Sequence, residues 1–355
     1  MINTNKTIVF VIPFFHAGGV ERWVSYAVSA LKNRGVSVKI FCTGALTIKD
    51  SFYSDDVIVE SFSWFDVIKY LYRHDVITVS ALTRPNLIIS IVSKVFGRNH
   101  ISSVHLSLGK KKTEKLWKHW MRVLFHWVIL SLSKNTIAVS EGVAAELISI
   151  KSSADVSQLY NPCFFSEDIS LPRTFDKSSP LKFVSAGRLH SQKRFDLLIE
   201  AFVKSYSNFP RGSTLTIWGE GDDREMLENM ISPDFKELIF LPGATNHLFN
   251  EFRKADIFVL SSEYEGFGNV LAEALANGCK CLSVDIPHGP SEILDKGRFG
   301  ILVDFELECL SIGMVEASNP PSISQIYSMS LKAHLYKFTV ESFGEGFAKL
   351  LEKIG

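Results

Sequence analysis

The stretch "EYEGFGNVLAEALANG", residues 263–278, sets Glu265 and Glu273 eight positions apart around a Gly266-Phe267-Gly268 turn, just ahead of Asn269. Were residues 265–273 one continuous helix, the two acids would stand about 12 Å apart along its axis and within a quarter turn of each other. That is too wide for a shared proton or metal ion, but it suits a long ligand held at two points. A carboxylate accepts paired hydrogen bonds from vicinal hydroxyls, such as those of a ribose or hexose. The glycines let backbone amides approach a ligand without Cβ interference. On the residues alone, a helix-start acid plus a solvated mid-helix charge stays open as the alternative.

A second constellation is "GRLHSQKRFDLLIEAF", where Arg188 and Lys193 lie in a loop between a strand and a helix. Two cations there can converge on one anion, aided by the amides at the helix start. A pyrophosphate fits, with Arg holding it in bidentate fashion; a basic surface turn is the plain alternative. No Asp-x-Asp occurs, and the acids of "SDD" (54–56) fall in an irregular polar turn. We therefore expect no metal and no cofactor. The five cysteines are odd in number and irregularly spaced, which predicts a reducing compartment without a disulfide framework. Cys279-Lys-Cys281 reads as buried strand.

These residues need a scaffold, and the 355-residue chain is long enough for two domains. "TIVFVIPFF" reads as a first strand, too short to span a membrane and unlike a signal peptide. A helix over "VERWVSYAVSALKNRG" and strands at "VSVKIFC", "HISSVHLS" and "TIAVS" follow, then a helix at "EGVAAELISI". "LYNPCFFSEDISLPRTFDKSSP" breaks this alternation, which resumes through "LKFVSAG", "LTIWG", "LIFLPG", "ADIFVLSS" and "KCLSVDI" with helices between. The alternation predicts α/β architecture: two Rossmann-like, doubly wound domains facing across a cleft at the carboxyl ends of their strands. Their expected limits are 1–163, a linker 164–180, 181–335, and a closing helix 336–355.

Residues 1–163 carry 19 Lys and Arg against 11 Asp and Glu, and the remainder 19 against 27. A basic first half fits a phosphate-bearing partner or an anionic membrane face, or merely uneven solvated surfaces; nothing points to nucleic acid. "GKKKTEKLWKHWMRVLFHWVILSLS" (109–133) sharpens the question. As a helix it aligns Leu116, Trp120, Val123, Trp127 and Leu130, while Lys115, His119, Arg122 and His126 share another face. Burial of the tryptophan stripe in the core is the leading expectation, and contact with anionic lipid headgroups the alternative.

"GRLHSQKRFDLLIEAF", "LTIWGEGDDREML", "SSEYEGFGNVLAEALANG" and "DIPHGPSEIL" occur in the order and spacing of GT-B nucleotide-sugar glycosyltransferases. They resemble the retaining group (family 4) marked by two glutamates with seven residues between them. The resemblance covers the second domain and reaches the first through "HAGGVERW", "SVHLSLG", "IAVSEGVAAEL" and "LYNP". It implies that Arg188 and Lys193 bind the donor diphosphate, and that Glu265 lies near the donor sugar with backbone amides around Gly266, Phe267, Gly268 and Asn269. It also implies that Glu273 holds the ribose, that Gly18 and Gly19 approach the phosphates, and that His105 lies near the reacting sugar. A UDP-linked hexose or N-acetylhexosamine is the expected donor, ahead of GDP-mannose. The expected acceptor is a glycan or polyprenyl-diphosphate-linked glycan of a bacterial surface polysaccharide, reached from the cytoplasm or its membrane face. A non-transferring 2-epimerase of the same fold, or an inactive nucleotide-sugar-binding subunit, are the competing readings. A dinucleotide dehydrogenase fails because Arg224 stands where "GEGDDR" would need its third glycine.

Overall fold

The computed structural model describes residues 6–13, 19–44, 59–109 and 115–354. It divides into two units, one of residues 1–162 with 338–355 and one of residues 163–337.

Among the described residues, seven parallel strands build the first unit. They are β1 (Ile8–Ile12), β2 (Val38–Cys42), β3 (Val59–Ser61), β4 (Ile77–Ala81), β5 (Asn99–Val104), β6 (Asn135–Ala138) and β7 (Val156–Gln158). Their order, β3-β2-β1-β4-β5-β6-β7, places the reversal of winding between β1 and β4. Every residue of β1 and β4 is buried. Helices on both faces of a parallel sheet require that, so such strands are continuous apolar or small-residue runs instead of alternating ones.

At the centre of this sheet, the buried polar residues around Ser80 satisfy one another. Ser80 Oγ donates to Asn86 Oδ1 at 2.6 Å, and Asn86 Nδ2 donates to the Ser103 carbonyl at 2.9 Å. The one hydroxyl proton of Ser80 is thereby used, so His100 Nε2, 2.8 Å away, must be the donor to Ser80 Oγ. His100 Nδ1 then accepts from Ser133 Oγ at 3.1 Å. Burial pushes the imidazole down to about 3, so it stays neutral. Between the unfolded value near 6.5 and about 3, the unfolded chain binds a proton that the folded chain refuses. Stability is therefore lost as pH falls through that window. Thermal unfolding from pH 7 to 5 should show a steeper decline for the parent than for His100→Asn; equal slopes would contradict the neutral assignment.

The closing helix, Val340–Ile354, belongs to the first unit and packs on the helix Gly19–Lys32. Phe343 meets buried Trp23 edge to face at 5.8 Å, Arg34 donates to the Glu341 carbonyl, and Asn99 Nδ2 donates to the Ile354 carbonyl. Trp23 thus anchors the first and last helices of the unit.

The second unit holds six parallel strands among the described residues. They are β8 (Lys182–Ala186), β9 (Thr214–Trp218), β10 (Ile239–Gly243), β11 (Ile257–Leu260), β12 (Lys280–Val284) and β13 (Ile301–Val303). They lie in the order β10-β9-β8-β11-β12-β13. The winding reverses between β8 and β11, and ligands of doubly wound sheets bind at the carboxyl ends of the strands flanking such a point.

The segment 164–180, expected as a linker, is instead held against this unit. Phe164 is fully buried, and the Ser170 amide donates to the Ala276 carbonyl. The Arg173 guanidinium donates to the carbonyls of Phe252 and Ala255 at 2.9 and 2.7 Å. These oxygens close the helix Leu248–Lys254, where a cation is favoured by the helix dipole. Beyond the short 3-10 turn Ser166–Asp168 the segment has no helix or strand, but its side chains still pack on this unit.

Candidate functional site

Two loops flank the switch point, 187–194 after β8 and 261–268 after β11. They are stitched together. The Glu263 amide donates to the Gln192 carbonyl at 2.8 Å, Gln192 Nε2 donates to the Tyr264 carbonyl, and Ser261 Oγ donates to the Lys193 carbonyl. Within this frame Lys193 Nζ donates to Glu265 Oε1 at 2.6 Å, and Ser262 Oγ donates to the same oxygen at 2.7 Å. Glu265 is 8% exposed, so the charge pair sits largely out of solvent and its attraction is weakly screened.

Arg188 and Lys193, expected to converge on one anion, stand differently on their loop. Lys193 is engaged by Glu265, whereas Arg188 is exposed and forms no ion pair among the described residues. A ligand phosphate arriving at Lys193 would share its ammonium with Glu265. The continuous-helix estimate for Glu265 and Glu273 does not hold, because the helix comprises only Asn269–Ala276. Glu265 stands in the loop before it, and Glu273 lies within the helix, fully buried. Gly266 is buried as well, and Gly268 caps the helix with φ +97°. Phe267 is buried, leaving its backbone as the part that borders the turn.

Two glycines outside the expected set shape this site. A Cβ at Gly219, which follows β9, would lie 1.8 Å from the Gly187 carbonyl oxygen. A Cβ at Gly289 would lie 1.8 Å from the Phe267 carbonyl oxygen. Each glycine lets a neighbouring strand's loop press against a site loop. The sequence carries a signal for them in "GEG" and "HGP", but not the identity of the carbonyl each one meets.

The first unit contributes different chemistry. His105, after β5, bonds through Nε2 to Ser103 Oγ at 2.9 Å and packs edge-on to Trp23 at 4.8 Å. Burial holds its imidazole down to about 3, so it is a neutral hydrogen-bonding group. It borders a hollow of about 60 Å³ with Thr83, Asn86, Arg122 and His126. Gly19 opens the helix Gly19–Lys32 with open space around its Cβ position, and Gly18 lies outside the described residues, as does the acidic turn at 54–56.

Two doubly wound units of this strand order define the GT-B fold. Anabaena HepE in complex with UDP superposes with a TM-score of 0.79 over 98% of this chain and 100% of its own, at 15% identity. Residues 180–312 match the family model "Glycosyl transferases group 1". Among curated relatives, the Bacillus subtilis poly(glycerol-phosphate) alpha-glucosyltransferase is 27% identical over 52% of this chain and 29% of its own length. The Campylobacter jejuni N-acetylgalactosamine-N,N'-diacetylbacillosaminyl-diphospho-undecaprenol 4-alpha-N-acetylgalactosaminyltransferase is 32% identical over 40% of this chain and 36% of its own. The matches thus span about a third of the length of these relatives.

Proposed function

We propose that the protein is a retaining glycosyltransferase that moves a hexose or N-acetylhexosamine from a UDP-sugar to a glycan or polyprenyl-diphosphate-linked glycan. The observation that carries this reading is the Lys193–Glu265 pair at the switch point, 2.6 Å apart and largely shielded from solvent. The UDP bound by Anabaena HepE and the lipid-diphosphate glycan named for the Campylobacter relative support the choice of donor and acceptor.

In this reading the bond between the anomeric carbon and the β-phosphate oxygen breaks first, and negative charge grows on the diphosphate. Lys193, with Arg188 reaching in from the exposed side of its loop, meets that charge; preorganised cations at a developing anion are the strongest contribution such a site makes. Glu265 keeps the Lys193 ammonium oriented and accepts hydrogen bonds from donor hydroxyls, while Glu273 holds the ribose. The acceptor oxygen bonds to the anomeric carbon on the face the diphosphate leaves, and its proton passes to a phosphate oxygen. His105, neutral, hydrogen-bonds the sugar without exchanging a proton. In this reading the donor is met in the cytoplasm, on that face of the membrane.

Incubating the pure protein with UDP- and GDP-sugars and reading released nucleotide tests the reading: UDP release from one hexose or N-acetylhexosamine donor is expected, and release from none overturns it. Because cations of the chain neutralise the leaving group, EDTA should leave turnover unchanged. Recovery of activity only on adding a divalent ion would refute that part of the mechanism.

A further inference from the structure

The helix Leu116–Leu132 leaves most of its large apolar side chains in solvent. Leu116, Trp117, Trp120, Met121, Leu124 and Trp127 fall within about 140° of one another at 100° per residue. All six are exposed, with Trp117, Trp120 and Trp127 at 61, 64 and 49%. The opposite side buries Ile129 and Leu130 and turns polar groups toward the protein beside them. Arg122 donates to the carbonyls of Leu108 and Gly109, and buried His126 bonds through Nδ1 to the Arg122 carbonyl. Burial of the stripe, the leading expectation from the sequence, therefore fails for Leu116, Trp120 and Trp127, while Leu130 at its end is buried. Arg122 ties the helix to the loop after β5, and with Ile129 and Leu130 packed inward the tryptophans face outward. A surface helix ordinarily does the reverse, and a contiguous exposed apolar face marks an interaction site.

Charge identifies the occupant. No Asp or Glu occurs from residue 115 to 140. Lys118 Nζ lies 5.7 Å from the Trp117 ring, Lys151 Nζ lies 5.7 Å from the Trp127 ring, and Lys115 is exposed at the helix start. A second copy meeting this face across a two-fold axis would oppose lysine to lysine. An anionic lipid surface supplies the opposite charge, and Trp with flanking Lys is the composition that settles at the headgroup boundary. No described helix is long and apolar enough to cross a membrane.

We propose that the face formed by Leu116, Trp117, Trp120, Met121, Leu124 and Trp127 docks on an anionic membrane surface, with the helix lying in the interface plane. The inference does not depend on the glycosyl-transfer reading. It adds to that reading a geometric consequence: the same helix supplies Arg122 and His126 to the hollow beside His105, so docking holds that hollow close to headgroup level.

The test is flotation of the full chain with vesicles of phosphatidylcholine alone or mixed with phosphatidylglycerol. Binding to the mixed vesicles is expected, weakened by salt. Trp120→Gln/Trp127→Gln should lower partitioning at least about tenfold. Lys115→Gln and Lys118→Gln should each lower it about fivefold on anionic vesicles. Unchanged circular dichroism and melting will show that these solvent-facing replacements leave the fold intact. Absence of binding, or binding indifferent to the Trp pair, overturns the proposal. So does a dimer in sedimentation equilibrium that the Trp pair abolishes while vesicles are ignored, since the face would then join two copies. UDP release measured without lipid should be unaffected by the Trp pair. If vesicles bind but no donor is cleaved, the functional reading falls and the docking face stands.

Discussion

Lys193→Ala should lower kcat for sugar transfer by about three orders of magnitude, within the range lost when a preorganised partner of a developing anion is removed. Two effects add. The ammonium that meets the leaving diphosphate is gone, and Glu265 keeps only the Ser262 hydroxyl from its present partners there, so its charge now opposes the phosphates. The second effect makes the variants non-additive. Glu265→Gln on the Lys193→Ala background should recover part of the loss, because the stranded negative charge is neutralised. Arg188→Ala should cost roughly a hundredfold in kcat and nothing in melting temperature, since its side chain is exposed. If both single variants turn over within about threefold of the parent, the leaving-group role is wrong.

Gly289→Ala should destabilise the protein by about 2–4 kcal/mol and weaken UDP binding, because it forces backbone against backbone. Gly289 has φ +94°, a conformation that side-chain-bearing residues rarely adopt, and its added Cβ would fall 1.8 Å from Phe267 O and 2.5 Å from Phe267 C. The Cβ position is fixed by the backbone, so no rotamer relieves its clash with the Phe267 carbonyl; the Gly-Phe-Gly turn must move, and Glu265 with it. For stability alone Gly19→Ala is the control, as its Cβ would meet open space and should change melting little. Thermal unfolding together with calorimetric UDP titration distinguishes the two. A Gly289→Ala protein that melts and binds like the parent would show that the turn does not rest on this contact.

Much of the site was legible in the residues because its chemistry is local. Arg188, Lys193, Glu265 and the Gly-Phe-Gly turn lie in loops bounded by strands β8 and β11, and those strands announce themselves as short apolar runs ahead of strong helix patterns. The strand β4, "ITVSA", is harder to see although it is fully buried at the centre of its sheet. Its Thr and Ser lower its apolar character, and only in the fold do Thr78 and Ser80 find the partners Ser93, Asn86 and His100 that make their burial tolerable.

Sequence alone determined residue chemistry and local period: two rounds of strand and helix, cations after one strand, and acids and glycines after another. Tertiary structure decided the pairings that join distant segments. It set Lys193 on Glu265, brought Gly289 against Phe267, folded 164–180 onto the second unit, and turned the tryptophans of 116–132 toward solvent. A periodic pattern states which side chains share a helix face, but not which face meets the protein. That choice follows from the partners each face finds, and here the carbonyls of Leu108 and Gly109 drew Arg122 inward.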